Sequence, residues 1–296
     1  MYELRENASV PTVDVHQHLW PESFIDVLAR RQRPPRLVGS MLELPGRGAV
    51  AVDLDSHRLE ARLALLDRSG LELAVVCLSP TLGEGTLAGD DWGELRNAYE
   101  SGILELARAS DRIVPLAAGG SSARFPGTCV GAPALLDLEV LAPTLDALEE
   151  RGAFLFVHPG PSVSPPEAPE WWPTVVEHTS QMQAAYAAWL DGGTERWPRL
   201  LVVFAILAGG GPFQLERLQS RGISSRDSLH ENILFESSSY GRRSLELCLS
   251  TLGVGQVLFG SDAPWLDPTV GLDVVRGFGD AVLDALWNRN PSRLLG

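Results

Sequence analysis

Short apolar runs alternate with longer segments of helical period along most of the chain. The apolar runs predict strands at residues 13–18, 73–79, 113–118, 127–135, 154–158, 200–207, 233–236 and 257–260. Segments with apolar side chains on one helical face separate them, at residues 56–69, 95–109, 142–151, 171–190, 212–221 and 244–252. This alternation predicts an α/β fold, and eight such strands suit a (β/α)8 TIM barrel.

The stretch after the first strand departs from this alternation. Residues 20–56 are rich in proline, arginine and glycine and have no clear period. We expect a loop or small flap here, inserted after strand one and crossing the barrel mouth. A length of 296 residues suits one such barrel, so a single domain over residues 1–296 is expected.

Polar residues stand where three of the apolar runs end. His16 and His18 close the first run, and positions i and i+2 of a strand point to the same face. His158 ends the fifth run, and Asp262 follows the eighth in a Gly-Ser-Asp-Ala-Pro turn. The carboxyl ends of parallel strands meet at one rim of a barrel, which is where active sites lie. These four side chains are therefore expected to converge.

Three imidazoles and one carboxylate form a ligand set for a divalent cation. Zn²⁺ fits this set best, with Mn²⁺ or Fe²⁺ as alternatives. Taken singly, each residue has a simpler interpretation, such as a histidine on a solvated loop, a core histidine or a turn aspartate. The combination favours one metal ion bound by His16, His18, His158 and Asp262.

In these motifs the chain resembles the amidohydrolase superfamily, and within it amidohydrolase family 2, the branch of aminocarboxymuconate-semialdehyde-decarboxylase-like metal-dependent enzymes. Matching stretches extend from His16 to the closing residues 290–296. The resemblance implies that His16, His18, His158 and Asp262 hold one catalytic divalent metal, usually zinc. It also implies an enzyme, either a metal-dependent hydrolase or a carboxy-lyase.

One position departs from the family pattern. The family carries a histidine at the end of strand six, in an Ala-His-Leu-Gly-Gly-like run, and here Ile206 takes its place. In related enzymes that histidine orients or activates the metal-bound water, or polarises the substrate. Ile206 can do neither, and we expect it to face the metal cavity as an apolar wall.

Composition narrows the metal chemistry further. The 24 basic residues are all arginines, so a carbamylated lysine bridging two metals and a Schiff-base lysine are both excluded. The fourth apolar run offers only Cys129 as a soft ligand, and we expect Cys129 to be a small buried residue and not a ligand. A mononuclear centre is therefore expected.

Net charge and the N-terminal sequence bear on the expected partners and cellular location of the protein. A net charge of −14 opposes binding to nucleic acid and gives no reason to approach an anionic membrane. Residues 1–11 have no apolar leader pattern, and the three cysteines form no disulfide framework. We expect a cytoplasmic protein whose partner is a small-molecule substrate, with a homodimer left open.

The sequence is compatible with three functions. The first is hydrolysis of an amide, ester or lactone, with metal-bound water as nucleophile and Asp262 as general base and acid. The second is non-oxidative decarboxylation of an aromatic or enoic acid, with Asp262 delivering a proton to carbon. The third is a non-catalytic or repurposed barrel that keeps its metal, which the loss of the histidine at Ile206 suggests.

Several further residues are candidates for the substrate pocket. Trp20 and Trp265 flank the predicted ligands and are expected to wall the pocket. Arg124 is placed to pair with a substrate carboxylate, and Tyr240 to donate a hydrogen bond. His178 is a candidate substitute for the missing strand-six histidine. His57, beside a helix start, is expected to be solvated.

Overall fold

The computed structural model describes residues 10–46, 48–222 and 230–296. Residues 1–9 lie outside them, and they make up most of the segment 1–11 in which no apolar leader pattern was predicted. The strands are β1 (Val13–Gln17), β2 (Arg36–Val38), β3 (Met41–Glu43), β4 (Ala49–Ala51), β5 (Leu73–Val76), β6 (Ile113–Pro115), β7 (Ala117–Ala118), β8 (Gly127–Gly131), β9 (Phe154–His158), β10 (Val202–Phe204), β11 (Ile233–Glu236) and β12 (Val257–Leu258).

The helices follow the strands in alternation, as the periodicity predicts. They are α1 (Glu22–Arg30), α2 (Leu59–Ser69), α3 (Gly89–Ala109), α4 (Leu138–Glu150), α5 (His178–Ala188), α6 (Thr194–Arg196), α7 (Leu215–Gln219), α8 (Arg242–Leu252), α9 (Pro268–Arg276), α10 (Asp280–Asp284) and α11 (Asn290–Leu295). No helix among the described residues is long and apolar enough to cross a membrane.

Parallel pairing runs around the molecule in sequence order. One sheet has the order β1-β5-β6 and the other the order β7-β8-β9-β10-β11-β12, all parallel. β6 and β7 are two halves of one strand interrupted at Leu116, whose N–H donates to the Val76 carbonyl at 2.9 Å. The result is eight parallel strands, as predicted.

Hydrogen bonds between β1 and the segment after β12 close the ring. The Val15 N–H donates to the Phe259 carbonyl at 3.0 Å, and the His18 N–H donates to the Ala263 carbonyl at 2.7 Å. The Asp262 N–H donates in return to the His16 carbonyl at 2.8 Å. This seam fixes Asp262 beside the two strand-one histidines, and the ring of eight parallel strands is the predicted (β/α)8 barrel.

The predicted flap is a small antiparallel sheet. Strands β2, β3 and β4 pair in that order, with Leu42 facing Val50 across the sheet. Helix α1 was not predicted from the sequence; it is only nine residues long and begins directly after Pro21. It buries Phe24, Val27 and Leu28 and packs on α3. The excursion is therefore ordered by its own short core.

Two predicted elements are shorter than their patterns suggested. The fourth strand ends at Gly131 and continues as a 3-10 turn over Ala132–Leu136. The sixth strand ends at Phe204, and the chain then turns sharply before α7. Both turns follow the carboxyl ends of strands, so they lie on the same rim as the candidate ligands.

Candidate metal centre

Three imidazoles stand at the corners of a nearly equilateral triangle. The ring centroids of His16 and His18 are 5.1 Å apart, those of His16 and His158 are 5.1 Å apart, and those of His18 and His158 are 5.2 Å apart. With Asp262, the four ligand atoms lie within 4.8 Å of one another. The structure thus brings together the four residues predicted as metal ligands.

Hydrogen bonds at Nδ1 fix the tautomer of each ring. The Nδ1–H of His18 donates to the Cys77 carbonyl at 2.9 Å, and that of His158 donates to the Pro159 carbonyl at 2.9 Å. The Nδ1 of His16 faces the Glu236 carboxylate at 2.8 Å. Because all three Nδ1 atoms are occupied in this way, the neutral form of each ring keeps the lone pair of its Nε2 for the centre of the triangle.

The residues fit a divalent cation. Nε2 of His16 is buried and has no hydrogen-bond partner among the described residues. Asp262 Oδ1 lies 3.7 Å from that atom, beyond hydrogen-bond distance, and 3.1 Å from Nε2 of His18. A buried acceptor is costly when unsatisfied, and a metal ion would satisfy this one together with its neighbours.

Glu236 belongs to this site but was not predicted from the sequence. It ends β11 and is completely buried. Besides His16, its carboxylate accepts the Ile206 N–H at 3.2 Å, the Ser238 hydroxyl at 2.8 Å and the Ser238 N–H. It therefore orients the His16 ring and raises its basicity, as carboxylates behind metal-binding histidines do. Its signal was the same strand-end polarity that identified His158.

The two carboxylates make the centre attract positive charge. Burial alone would lower the pKa of His16, but the charge and hydrogen bond of Glu236, with a further contribution from Asp262, raise it to about 9. The pKa of His158 is held well below its usual value by burial and by the positive charge of His16 and His18. The centre thus favours positive charge but does not accommodate three protonated rings, which is the behaviour expected of a cation site.

The segment after β10 adopts a left-handed turn beside the histidines. Residues 206–210 all have positive φ, from 46° at Ile206 to 81° at Gly210. Three of them, Ile206, Leu207 and Ala208, are not glycine, and a β-branched residue in this region is a genuine outlier. Gly209 lies close to α5, because a Cβ there would clash with the Thr179 carbonyl oxygen. Such strain collects at functional sites.

A cavity of about 620 Å³ opens over the four ligands. The flap, the β9 loop with α5, the left-handed turn and the β12 loop all contribute walls. Its lining residues are His16, His18, Trp20, Leu42, Leu44, Val50, Ala51, Ser79, Thr81, Leu82, His158, Pro159, Thr174, Val175, His178, Thr179, Ile206, Ser239, Tyr240, Asp262, Trp265 and Leu266. This volume is in the range that encloses small organic ligands.

Five of the predicted pocket residues lie on this cavity: Trp20, His178, Ile206, Tyr240 and Trp265. The structure places Arg124 elsewhere, which corrects the expectation that it meets the substrate. Its side chain is exposed, 3.8 Å from the Glu100 carboxylate and stacked over Phe125. The loop after β7 carries it away from the cavity, a direction that sequence position does not reveal.

His57 is also placed differently from the expectation. It is 3% exposed, and its Nδ1 accepts the Trp20 N–H at 3.1 Å. Its ring stacks on the Trp20 indole with centroids 4.5 Å apart. Burial and the charge of Arg62 lower the pKa of His57 to about 3. This neutral histidine supports a wall of the cavity from behind.

A parallel barrel with three histidines and an aspartate at the carboxyl ends of its strands defines a metal-binding barrel protein. The sequence profile of the amidohydrolase family matches residues 13–296, and the chain belongs to that family. As a member, it is a metal-dependent enzyme of the hydrolase or carboxy-lyase class. The resemblance stated from the motifs is confirmed.

Solved structures with this fold include decarboxylases and a hydratase. IDCase of Metarhizium anisopliae in its apo form is 17% identical, with 98% of this chain and 97% of that chain covered and a TM-score of 0.77. 5-Carboxyvanillate decarboxylase of Novosphingobium aromaticivorans, complexed with manganese and a nitrobenzoic acid, is 15% identical, with 96% of each chain covered and a TM-score of 0.70.

A third similar structure is 4-oxalomesaconate hydratase of Rhodopseudomonas palustris. It is 14% identical, with 96% of this chain and 95% of that chain covered and a TM-score of 0.70. At these identities the likeness shows the shared fold. No curated protein sequence matches the chain.

Proposed function

We propose that the protein is a metal-dependent decarboxylase that replaces the carboxylate of an aromatic or enoic acid by a proton. The observation that carries the proposal is the position of Asp262. It is the one carboxylic acid among the described residues that line the cavity, and it stands 3.1 Å from a metal-ligand nitrogen of His18. It is therefore placed to exchange a proton with a molecule bound at the metal centre.

Asp262 is suited to repeated proton transfer. Its side chain is 23% exposed, whereas the three histidines around it are buried, so it faces the cavity and can regain a proton from solvent. Its φ of 63° is a left-handed conformation that aspartate tolerates. A hydrogen bond from the Asp262 N–H to the His16 carbonyl holds the backbone in this position.

The proposed reaction balances with Asp262 as the only acid. Its proton is added to the carbon that bears the carboxylate, the C–C bond then breaks, the electron pair of that bond returns to the carbon skeleton, and CO₂ leaves. A divalent ion supplies Lewis-acid stabilisation of a substrate oxygen when it is bound. The ligand set makes Zn²⁺ our first choice, with Mn²⁺ or Fe²⁺ as alternatives.

The apolar walls favour this reaction over hydrolysis. Leu42, Leu44, Val50 and Leu82 line the cavity, and Ile206 takes the position at which the family's histidine would orient an attacking water. A poorly hydrated site also destabilises a carboxylate relative to neutral CO₂, whereas hydrolysis needs a bound water. Several structures of the same fold are decarboxylases, which supports the same choice.

Isotope incorporation tests the proposal. After metal analysis of the purified protein, aromatic and enoic acids are incubated in D₂O, and both CO₂ and deuterium in the product are measured. We expect one deuterium at the carbon that lost CO₂. Asp262→Asn should abolish turnover while metal is retained, and Asp273→Asn, at an exposed surface carboxylate, should behave as the wild type.

The two alternatives give different outcomes in the same experiment. Hydrolysis of an ester or lactone without CO₂ release from any acid would replace the decarboxylase proposal. Absence of turnover in both screens, with unchanged ligand binding in Asp262→Asn, would indicate a barrel that binds metal and ligand without catalysis.

A further inference from the structure

The cavity is almost free of charge beyond the metal centre. Among the described residues that line it, Asp262 is the only carboxylate and there is no arginine. The chain has no lysine to supply a cation there. Apart from the imidazole of His178, the described walls offer no side chain that could pair as a cation with a second anionic group of a substrate, and burying an unpaired carboxylate is strongly unfavourable.

Apolar side chains from two separate elements form the walls away from the metal. Leu42, Leu44 and Val50 come from the flap, and Trp265 and Leu266 from the loop after β12. The Trp265 ring packs edge-to-face on Trp20 with centroids 6.1 Å apart. A ligand lying along these walls would gain binding free energy by burying its apolar surface.

Apolar character also reaches the innermost part of the cavity. Ile206 lines the cavity directly beside the metal centre. Its N–H donates a hydrogen bond to the Glu236 carboxylate, which also contacts His16. The backbone there is left-handed, so this side chain occupies its position despite local strain. No polar group is presented from this position to a substrate.

The same surface continues outward to solvent. Val50, Val175, Trp265 and Leu266 line the cavity and are also exposed. An exposed apolar patch continuous with a cavity is typical of a groove that receives an apolar ligand. The volume of about 620 Å³ leaves room for a body beyond the group at the metal.

We propose that the substrate is monoanionic, with its single carboxylate at the histidine cluster and an otherwise uncharged, apolar body against the flap and the loop after β12. The proposal rests on the proposed decarboxylase function and names its substrate class. It excludes diacids, and it assigns selectivity to Ile206 and to the apolar flap residues.

Straight-chain hydroxamates test this without requiring turnover. Hydroxamates chelate divalent ions, so acetohydroxamate, butanohydroxamate, hexanohydroxamate and octanohydroxamate place one metal-binding group at the centre and extend an alkyl chain of increasing length. Suberic monohydroxamate is a charged counterpart of octanohydroxamate, with a carboxylate in place of the terminal methyl. Dissociation constants are measured by calorimetry on the metal-loaded protein.

We expect affinity to rise about threefold to fourfold for each added methylene until the cavity is filled. Suberic monohydroxamate should bind at least tenfold more weakly than octanohydroxamate, because its carboxylate loses water without gaining a partner. Absence of binding by the whole series, equal affinities along it, or tighter binding of the charged counterpart would overturn the proposal.

Variants locate the selectivity in the walls. Val50→Arg and Leu266→Arg each place a cation at an exposed position on the cavity and should reduce or reverse the preference for octanohydroxamate. Val140→Arg adds the same charge on the exposed face of α4, outside the cavity, and should leave the ratio unchanged. If the wild type prefers the charged counterpart and Arg47→Gln removes that preference, the proposal is wrong and Arg47, which lies outside the described residues, supplies the charge.

These outcomes are separate from those of the proposed function. If no acid releases CO₂, the decarboxylase proposal fails while the hydroxamate affinities still report the preference of the cavity. If CO₂ is released but diacids are accepted as well as monoacids and the hydroxamate pair binds equally, the substrate class is wrong and the decarboxylase proposal stands.

Discussion

The carboxylate of Glu236 and the imidazole Nδ1 of His16 lie 2.8 Å apart, although 220 positions separate them in the sequence. The same carboxylate oxygen accepts the N–H of Ile206, which stands where the family has a histidine. Glu236 therefore joins the metal-binding strand to the altered strand-six turn. A substitution of Glu236 should therefore affect both the orientation of His16 and the turn at Ile206.

Replacing Glu236 by glutamine should weaken metal binding. Glu236→Gln keeps the size of the side chain but removes the charge that orients and polarises His16. We expect the metal dissociation constant to rise about 10-fold to 100-fold. Competition with a chromogenic chelator measures it. Glu139→Gln, at an exposed ion pair with Arg196, is the control and should match the wild type. Equal metal affinity in all three proteins would contradict the assigned role of Glu236.

His57 should make stability depend on pH. Its folded-state pKa is about 3, lowered by burial and by the charge of Arg62, whereas its ordinary value is 6.5. Below pH 6.5 the unfolded chain takes up a proton that the folded protein does not, so stability is lost as pH falls toward 3. The slope from this group reaches about 1.4 kcal/mol per pH unit.

Urea unfolding of the wild type and His57→Gln at pH 7.5, 6 and 5 isolates this effect. Asp14 acts in the opposite direction, because burial raises its pKa from 3.8 to about 6 and its protonation stabilises the fold as pH falls through that window. The difference between the two proteins removes this contribution. The advantage of the wild type over the variant should shrink as pH falls, and a constant difference would show that His57 titrates normally.

The sequence predicted the barrel and its ligand set because both depend on local signals. His16 and His18 share a strand face, and His158 and Asp262 each follow a short apolar run, so the closed ring of strands was sufficient to bring them together. Glu236 follows the same rule but was not singled out, since a glutamate ending an apolar run is also what a solvated strand end looks like.

Residues on loops could not be placed from the sequence in the same way. Arg124 lies after a strand whose loop bends away from the cavity, and His57 is buried because Trp20, 37 positions earlier, stacks on it. The directions in which these two loop side chains point do not follow from the two-residue period of a strand or the 3.6-residue period of a helix. The left-handed turn after β10 was equally hidden, because Ile206, Leu207 and Ala208 give no glycine signal for positive φ.

The strain in that turn predicts an unusual response to glycine. Ala208 has φ 52° and ψ 35°, a conformation that costs an ordinary residue about 1–2 kcal/mol. Ala208→Gly should leave the free energy of unfolding unchanged or raise it by up to about 1 kcal/mol, once the greater entropy of unfolded glycine is subtracted. Ala185→Gly, at an equally buried position within α5, should lower it by about 1 kcal/mol or more. A similar loss in both variants, measured by urea unfolding, would indicate that the turn is not strained.

Restoring a histidine at position 206 should change selectivity more than stability. Histidine adopts left-handed backbone more readily than a β-branched residue, so Ile206→His should fold at least as well as the wild type at φ 46°. It replaces an apolar wall beside the centre by a polar ring, and octanohydroxamate should bind about tenfold more weakly because buried apolar contact is lost. Substrates with a hydrogen-bonding group near the carboxylate should gain in kcat/KM, widening the range accepted. Ile206→Leu keeps the wall apolar and should retain the wild-type preference. If Ile206→His and Ile206→Leu give the same substrate range and the same octanohydroxamate affinity, the side chain at this position does not set selectivity.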